Sequence, residues 1–116
     1  MGGAAMNAAL LAALLAVESG GNDLAIGDNG RARGALQIHA GVVQDVNRRH
    51  GTTYRHADMH DRAKAVRVAS LYLQTYAPGA SAEVQARTWN GGPRGATKAA
   101  TAGYWAKVRS KMGGAK

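Results

Sequence analysis

The chain has 116 residues, 46% of them apolar, no cysteine and a formal net charge of +8. That length suits one domain, residues 1–116, able to bury roughly two-thirds of its unfolded surface. The missing cysteines exclude a disulfide framework and any Cys-ligated metal, and the missing Phe leaves a small-residue core that suits closely approaching helices better than a thick sheet sandwich.

The run Met6 to Val17 is nearly continuous apolar sequence built from strong helix formers, and predicts a helix from about Ala4 to Ser19. Gly20 and Gly21 supply the left-handed conformations that end it. The run is too short to span a bilayer, and no Lys or Arg precedes it as in a secretory leader, since the first basic residue is Arg31. Any export therefore needs a removed leader, another domain or a separate route. A polar, Gly-rich loop follows from Gly20 to Gly34, with Asp28-Asn29-Gly30 as a turn signal. Gly34 to Ile38 reads as short and extended. Ala40 to Arg49 reads as a helix with Val42, Val43 and Val46 inward, broken at Gly51-Thr52-Thr53-Tyr54.

Asp58 is the expected N-cap of a long helix reaching about Ala77, with Ala63, Val66, Ser70 and Leu73 on one face. Pro78-Gly79 ends that helix. Ser81 caps the next, Ala82 to Trp89, with Glu83 in its first turn. Asn90-Gly91-Gly92-Pro93 forms a sharp loop, and a final helix runs from about Thr97 to Met112, ending at Gly113-Gly114. The fold class is mainly α, with at most a small β element beside the loop after Glu18.

Glu18 is the residue with chemical promise. In the last turn of a helix it faces unsatisfied carbonyls, which disfavour a carboxylate, as do low-dielectric neighbours. A carboxyl kept protonated near neutral pH is what a general acid needs. The other reading is a solvated helix end. Glu83, the second of two Glu residues, sits at a helix start, where the dipole keeps it ionised.

Three blocks turn the balance. They are Glu18-Ser19-Gly20-Gly21-Asn22-Asp23 with Gly34-Ala35-Leu36-Gln37-Ile38, then Ala86-Arg87-Thr88-Trp89-Asn90-Gly91-Gly92-Pro93, then Thr101-Ala102-Gly103-Tyr104-Trp105-Ala106-Lys107-Val108. In this order they resemble the soluble lytic transglycosylase family, which has a lysozyme-like fold and cleaves peptidoglycan. The resemblance implies that Glu18 protonates the glycosidic oxygen of the MurNAc–GlcNAc β-1,4 bond. As a carboxylate it then takes the proton of the sugar's own C6 hydroxyl, closing a 1,6-anhydro ring without a second carboxylate. It further implies substrate contacts from Ser19, Gln37, His39 (where the family often has Met), Trp89 (where it has Tyr), Asn90 and Tyr104, whose hydroxyl is expected to reach Glu18. The family's loop Ser is replaced by Gly27 or Asp28.

Two alternatives stay open. A hydrolytic muramidase on the same scaffold needs a carboxylate to orient water, and Asp28 in the loop is best placed; its plainer role is a turn residue before Asn29-Gly30. A non-catalytic module binding wall glycan or DNA is the other. No helix-turn-helix pattern and no alternation of aromatic with basic residues supports nucleic acid. The expected partners are peptidoglycan strands, and anionic wall polymers or a membrane surface reached by the basic C-terminal stretch Lys107, Arg109, Lys111 and Lys116. Arg48, Arg49, Arg55, Arg62, Lys64 and Arg67 form a second basic segment. His56 and His60 are four apart, but with Asp58 marking a helix start between them they share no helical face. Metal and cofactor are not expected. A monomer acting in the periplasm or cell wall, exported or phage-delivered, completes the expectation.

Overall fold

The computed structural model describes residues 6–113. The chain divides into two compact units, a central one of Glu18–Tyr72 and a terminal one made of the described parts of Met1–Val17 and Leu73–Lys116. The mainly α architecture with one small sheet agrees with the sequence reading.

The first helix, α1, spans Ala8–Ser19. It starts later than expected because the Asn7 side chain accepts the Leu10 N–H at 3.1 Å, the bond of an N-cap. Ala4 and Ala5 lie outside the described residues. Leu10, Ala13 and Leu14 are fully buried, the spacing of one helical face.

In the central unit, β1 (Ile26–Gly27) pairs antiparallel with β2 (Ala32–Arg33), Ile26 opposite Arg33. The intervening turn holds Asp28 and Asn29 at φ 49° and 57°, so the expected turn is there, in left-handed geometry that Asp and Asn tolerate best among non-glycines. Gly34–Gln37 is a tight turn rather than an extended segment. The Gln37 N–H donates to the Gly34 carbonyl at 3.0 Å, which lets Ile38 bridge back to Arg33.

Helix α2 (Ala40–His50) buries Val43 and Val46, leaves Val42 half-buried, and stops where Gly51 turns left-handed at φ 67°. Asn47 then ties down the next segment. Its Oδ1 accepts from Thr52 Oγ1 at 2.8 Å and the Tyr54 N–H at 3.0 Å, while its Nδ2 donates to the Tyr54 carbonyl at 2.8 Å.

The cap expected at Asp58 belongs to Asp61. Asp58 turns back to accept the Arg55 N–H at 2.8 Å and so closes a 3-10 turn over His56–His60. That bond, with the Lys64 and Arg55 charges beside it, holds its carboxyl below the usual value against the opposing effect of desolvation. Asp61 instead accepts the Lys64 N–H at 3.0 Å, opening α3 (Arg62–Tyr76). The buried face of α3 is Ala65, Val68, Ala69 and Tyr72, with Leu71 and Leu73 beside it, whereas Ala63 is exposed. Apolar residues recur at Ala63, Ala65, Val66, Val68, Ala69, Leu71, Tyr72 and Leu73, so periodicity alone allows two phases and packing selects one.

In the terminal unit Ser81 caps α4 as expected, its Oγ accepting the Val84 N–H at 3.2 Å. Helix α4 (Ala82–Gly91) runs two residues past Trp89. The last helix, α5, spans only Ala102–Lys111, because residues from Gly95 to Thr101 form two 3-10 turns instead. Arg87 and Thr101 impose that shape. The guanidinium donates to Glu83 Oε2 at 2.9 Å, Thr101 Oγ1 at 2.8 Å and the Lys98 carbonyl at 2.9 Å. The Thr101 hydroxyl, 2% exposed, lies 2.7 Å from the Gly95 carbonyl and 2.9 Å from that of Lys98.

Thr101→Val keeps the shape of that side chain but strips one donor and one acceptor from a buried knot. Such groups cost about 1–3 kcal/mol when left unpaired. A fall of that size in chemical-denaturation stability, with helical circular dichroism retained, is the expected outcome.

Candidate active site

Glu18 stands in the last turn of α1, half-buried, as its position before two glycines predicts. Gly20 and Gly21 follow at φ 70° and 82°, reversing the chain immediately beyond it. Ser19 makes the reversal rigid. Its Oγ accepts the N–H groups of Gly21 and Asn22 at 3.1 and 3.0 Å, and donates to the Ala35 carbonyl at 2.7 Å. Ser19 therefore ties the helix end to the chain sixteen residues on.

The loop is then clamped from a distance. Arg62, at the start of α3, donates from Nε to Asp23 Oδ1 and from Nη2 to the Gly21 carbonyl, both at 2.6 Å. His60 Nδ1 lies 2.9 Å from the Asp23 carbonyl, and His56 Nε2 2.7 Å from that of Ile38. A carbonyl only accepts, so each of these ring nitrogens carries its proton. Two of the histidines that invited a metal reading thus hold the loop. Among the described residues no group of three or more His, Cys, Asp or Glu is placed to bind a metal ion. Gly34 seals the arrangement. At φ 83° it presses against the Met59 carbonyl oxygen, where a Cβ would collide.

Gln37 is tied into the loop. Held at φ 51°, it donates from Nε2 to the carbonyls of Gly34 at 2.9 Å and Ala25 at 3.3 Å. Both amide hydrogens are spent inside the loop, which leaves Oε1 as the side chain's acceptor. Asp28 and His39 are brought together. Asp28 Oδ2 lies 3.3 Å from His39 Nε2, and each side chain is about half exposed, at 48% and 49%. The left-handed turn at Asp28 and Asn29 aims that carboxylate.

Trp89, Asn90 and Tyr104 belong to the terminal unit, Trp89 and Tyr104 partly buried and Asn90 exposed. The loop after Asn90 is held by other groups: Lys98 Nζ donates to the Gly91 carbonyl and the Gly95 N–H to that of Gly92, both at 2.7 Å. Sequence reading missed Arg62, His60 and His56 as loop clamps. Their partners lie 18 to 41 residues away, and no local pattern marks them.

Residues 3–109 match the Transglycosylase SLT domain. Among solved structures, the chain is similar to one described as Aeromonas hydrophila PliI in complex with Meretrix lusoria lysozyme. The match has 27% identity and a TM-score of 0.74, covering 97% of this chain and 96% of the other. An inhibitor-bound lysozyme from Meretrix lusoria matches with the same identity, coverage and TM-score. No curated protein matches the chain significantly. The fold is therefore lysozyme-like, and the domain is of a glycan-cleaving kind.

Ser19→Ala removes one donated and two accepted bonds at the end of α1. We expect a loss of about 1–3 kcal/mol in stability. Amide exchange at Gly21 and Asn22 should accelerate while that of Leu10 to Leu14 stays slow. Uniform acceleration along α1 would mean that Ser19 supports the whole helix rather than the loop.

Proposed function

From its membership of the Transglycosylase SLT domain family, we propose that this chain cleaves the MurNAc–GlcNAc β-1,4 bond of peptidoglycan, with Glu18 as acid and then base and residues 1–116 as one catalytic domain. The carboxyl gives its proton to the glycosidic oxygen as the bond from that oxygen to C1 of MurNAc breaks. The resulting carboxylate takes the proton of the C6 hydroxyl, and O6 bonds to C1. A 1,6-anhydro ring closes, no water is consumed, and Glu18 recovers its proton. The chain works where the polymer is, in the wall or periplasm.

The observation that carries this reading is the seating of Glu18. It occupies the final turn of a helix whose exit is fixed by Ser19, two left-handed glycines and the Arg62 clamp. A general acid must be held still relative to the bond it protonates. The fate of the other carboxylates supports a route without a second one. Asp23, Asp45, Asp58 and Glu83 face cations, and Asp61 caps α3.

One observation favours a second reading. Asp28 is the carboxylate whose partner is a histidine in the loop region, and a His oriented by Asp is an arrangement that can take a proton from water. In that hydrolytic route Glu18 protonates the glycosidic oxygen as its bond to C1 breaks, His39 takes a proton from the water whose oxygen bonds to C1, that proton returns to Glu18 through solvent, and a reducing sugar is released.

Glu18→Gln should lower release of soluble fragments from purified walls by about 10²–10⁴-fold, the usual worth of a positioned acid or base. Circular dichroism should not change. Near-parent turnover by a folded Gln variant removes Glu18 from the chemistry.

The product separates the two routes. Released muropeptides should end in 1,6-anhydro-MurNAc, one water lighter than hydrolysis products by mass spectrometry and inert to borohydride. Reducible products, lost on His39→Ala or Asp28→Asn, would establish the hydrolytic route instead.

A further inference from the structure

Gly20 and Gly21 make the exit from α1 possible, and they also leave it bare. Among the described residues, a Cβ at Gly20 would meet nothing within 4 Å, and one at Gly21 would meet only Arg62 Nη2, at 3.9 Å. At φ 70° and 82° these two residues have no side chain with which to pack, and glycine backbone is the costliest to order. Glu18 is the next-to-last residue of α1, and helix ends are where local opening starts. Whatever keeps that last turn in place must therefore be bonded to the chain just beyond it.

Two sets of bonds do this. From within, Ser19 Oγ accepts the N–H groups of Gly21 and Asn22. From outside, one guanidinium spans the stretch: Arg62 donates from Nη2 to the Gly21 carbonyl and from Nε to Asp23 Oδ1, both at 2.6 Å. His60 Nδ1 donates to the Asp23 carbonyl at 2.9 Å, so Asp23 is gripped by its side chain and by its backbone. Arg62 opens α3 and lies 41 residues from Gly21, so that helix and not the loop sets its position. Its pair with Asp23 is nearly half exposed on both sides, at 42% and 43%. Exposed pairs of this kind add little to stability. Stability is thus a poor account of a guanidinium committed to two partners in one loop.

We infer that Arg62 is a positioning residue for Glu18. It fixes the Gly20–Gly21 exit, and through that exit the last turn of α1 and the carboxyl the turn carries. This role rests on the acid–base chemistry proposed above for Glu18. Arg62 acts through the backbone and exchanges no proton. A carboxyl displaced by about 1 Å from the oxygen it protonates can lose on the order of 10²-fold in rate. Loosening the exit should therefore slow the chemical step while substrate binding and global stability stay nearly as they were. Geometry matters more than charge here. The planar fork of Arg reaches a carbonyl and a carboxylate at once, whereas the Lys ammonium is a point charge on a flexible stem. Lys in place of Arg62 keeps the charge beside Asp23 but not the two-pronged span.

The test compares Arg62→Gln and Arg62→Lys with the parent on soluble peptidoglycan strands, scoring kcat and KM separately and measuring backbone order by NMR relaxation. Both variants should lose about 10- to 100-fold in kcat with KM within about 3-fold of the parent, the pattern of an interaction missed only in the transition state. Order parameters from Ser19 to Asn22 should fall while those from Leu10 to Leu14 hold, and the denaturation midpoint should hardly move. Asp23→Ala removes one prong and should cost part of the same loss, and combined with Arg62→Gln it should add nothing further. Arg48→Gln, which takes an exposed cation off Asp45, should leave kcat and loop order unchanged. A rise in KM at parent kcat would make Arg62 a substrate contact and overturn the inference. Full activity of Arg62→Lys would reduce the effect to charge, and unchanged order from Ser19 to Asn22 would show that the clamp does not hold the exit; either overturns it too. If Arg62→Gln unfolds, Arg62→Lys and Asp23→Ala carry the comparison. Glu18→Gln, run alongside, keeps the two readings apart. Its retained turnover would remove the acid–base role and this one with it, whereas parent-rate Arg62 variants beside an inert Glu18→Gln remove the positioning role alone.

Discussion

Much of the central unit depends on one close approach, that of Gly34 to the Met59 carbonyl oxygen. A side chain cannot fit there, and at φ 83° only glycine is unstrained. With Gly34 in place, its N–H reaches the Ala25 carbonyl at 2.9 Å, and its carbonyl accepts both the N–H and the side chain of Gln37. Met59 is itself fully buried, so the loop is fastened to the core rather than to another loop. From that seat the hairpin, the Asp28 turn and the Ser19 anchor point at Ala35 follow in order along the chain.

The loop after Glu18 is therefore a rigid element despite its glycines. Polar groups inside it are satisfied by distant partners: Arg62 and His60 on the Asp23 region, His56 on Ile38. Among the described residues no buried side-chain nitrogen or oxygen lacks a partner. In the cleavage proposed above, that rigidity has a chemical use. A carboxyl that must protonate one oxygen and then deprotonate another gains from a fixed position relative to both, because the sugar and not the protein has to move between the two steps.

Charge follows a similar economy. Acidic residues are concentrated in the central unit, where they cap helices, close turns or hold cations. The C-terminal stretch has almost none, and its cations are left facing solvent on α5. Exposed pairs of the Asp45 kind add little to stability, and their effect is chiefly to cancel a field that would otherwise extend about 8–10 Å into solution. On α5 that cancellation is missing among the described residues.

The sequence by itself determined the helix with Glu18 at its end, the Ser81 cap, the stop at Gly51 and the left-handed exit through Gly20 and Gly21. Each of these is a local preference, decided within a few residues by backbone sterics and unsatisfied helix-end groups. The motif blocks added the lysozyme-like family, since their order along the chain survives without any contact being known. Tertiary structure decided what composition left degenerate. Asp58 and Asp61 are equally good caps by type, and only the Arg55 backbone turning toward Asp58 separates them. The face of α3 and the 3-10 turns before α5 were likewise settled by packing and by the Arg87–Thr101 knot. Gln37 and Ser19 gained loop partners, and His39 acquired Asp28, for the same reason. Partners far apart in sequence are brought within hydrogen-bonding distance only by the folded chain, and no pattern of near neighbours encodes that distance.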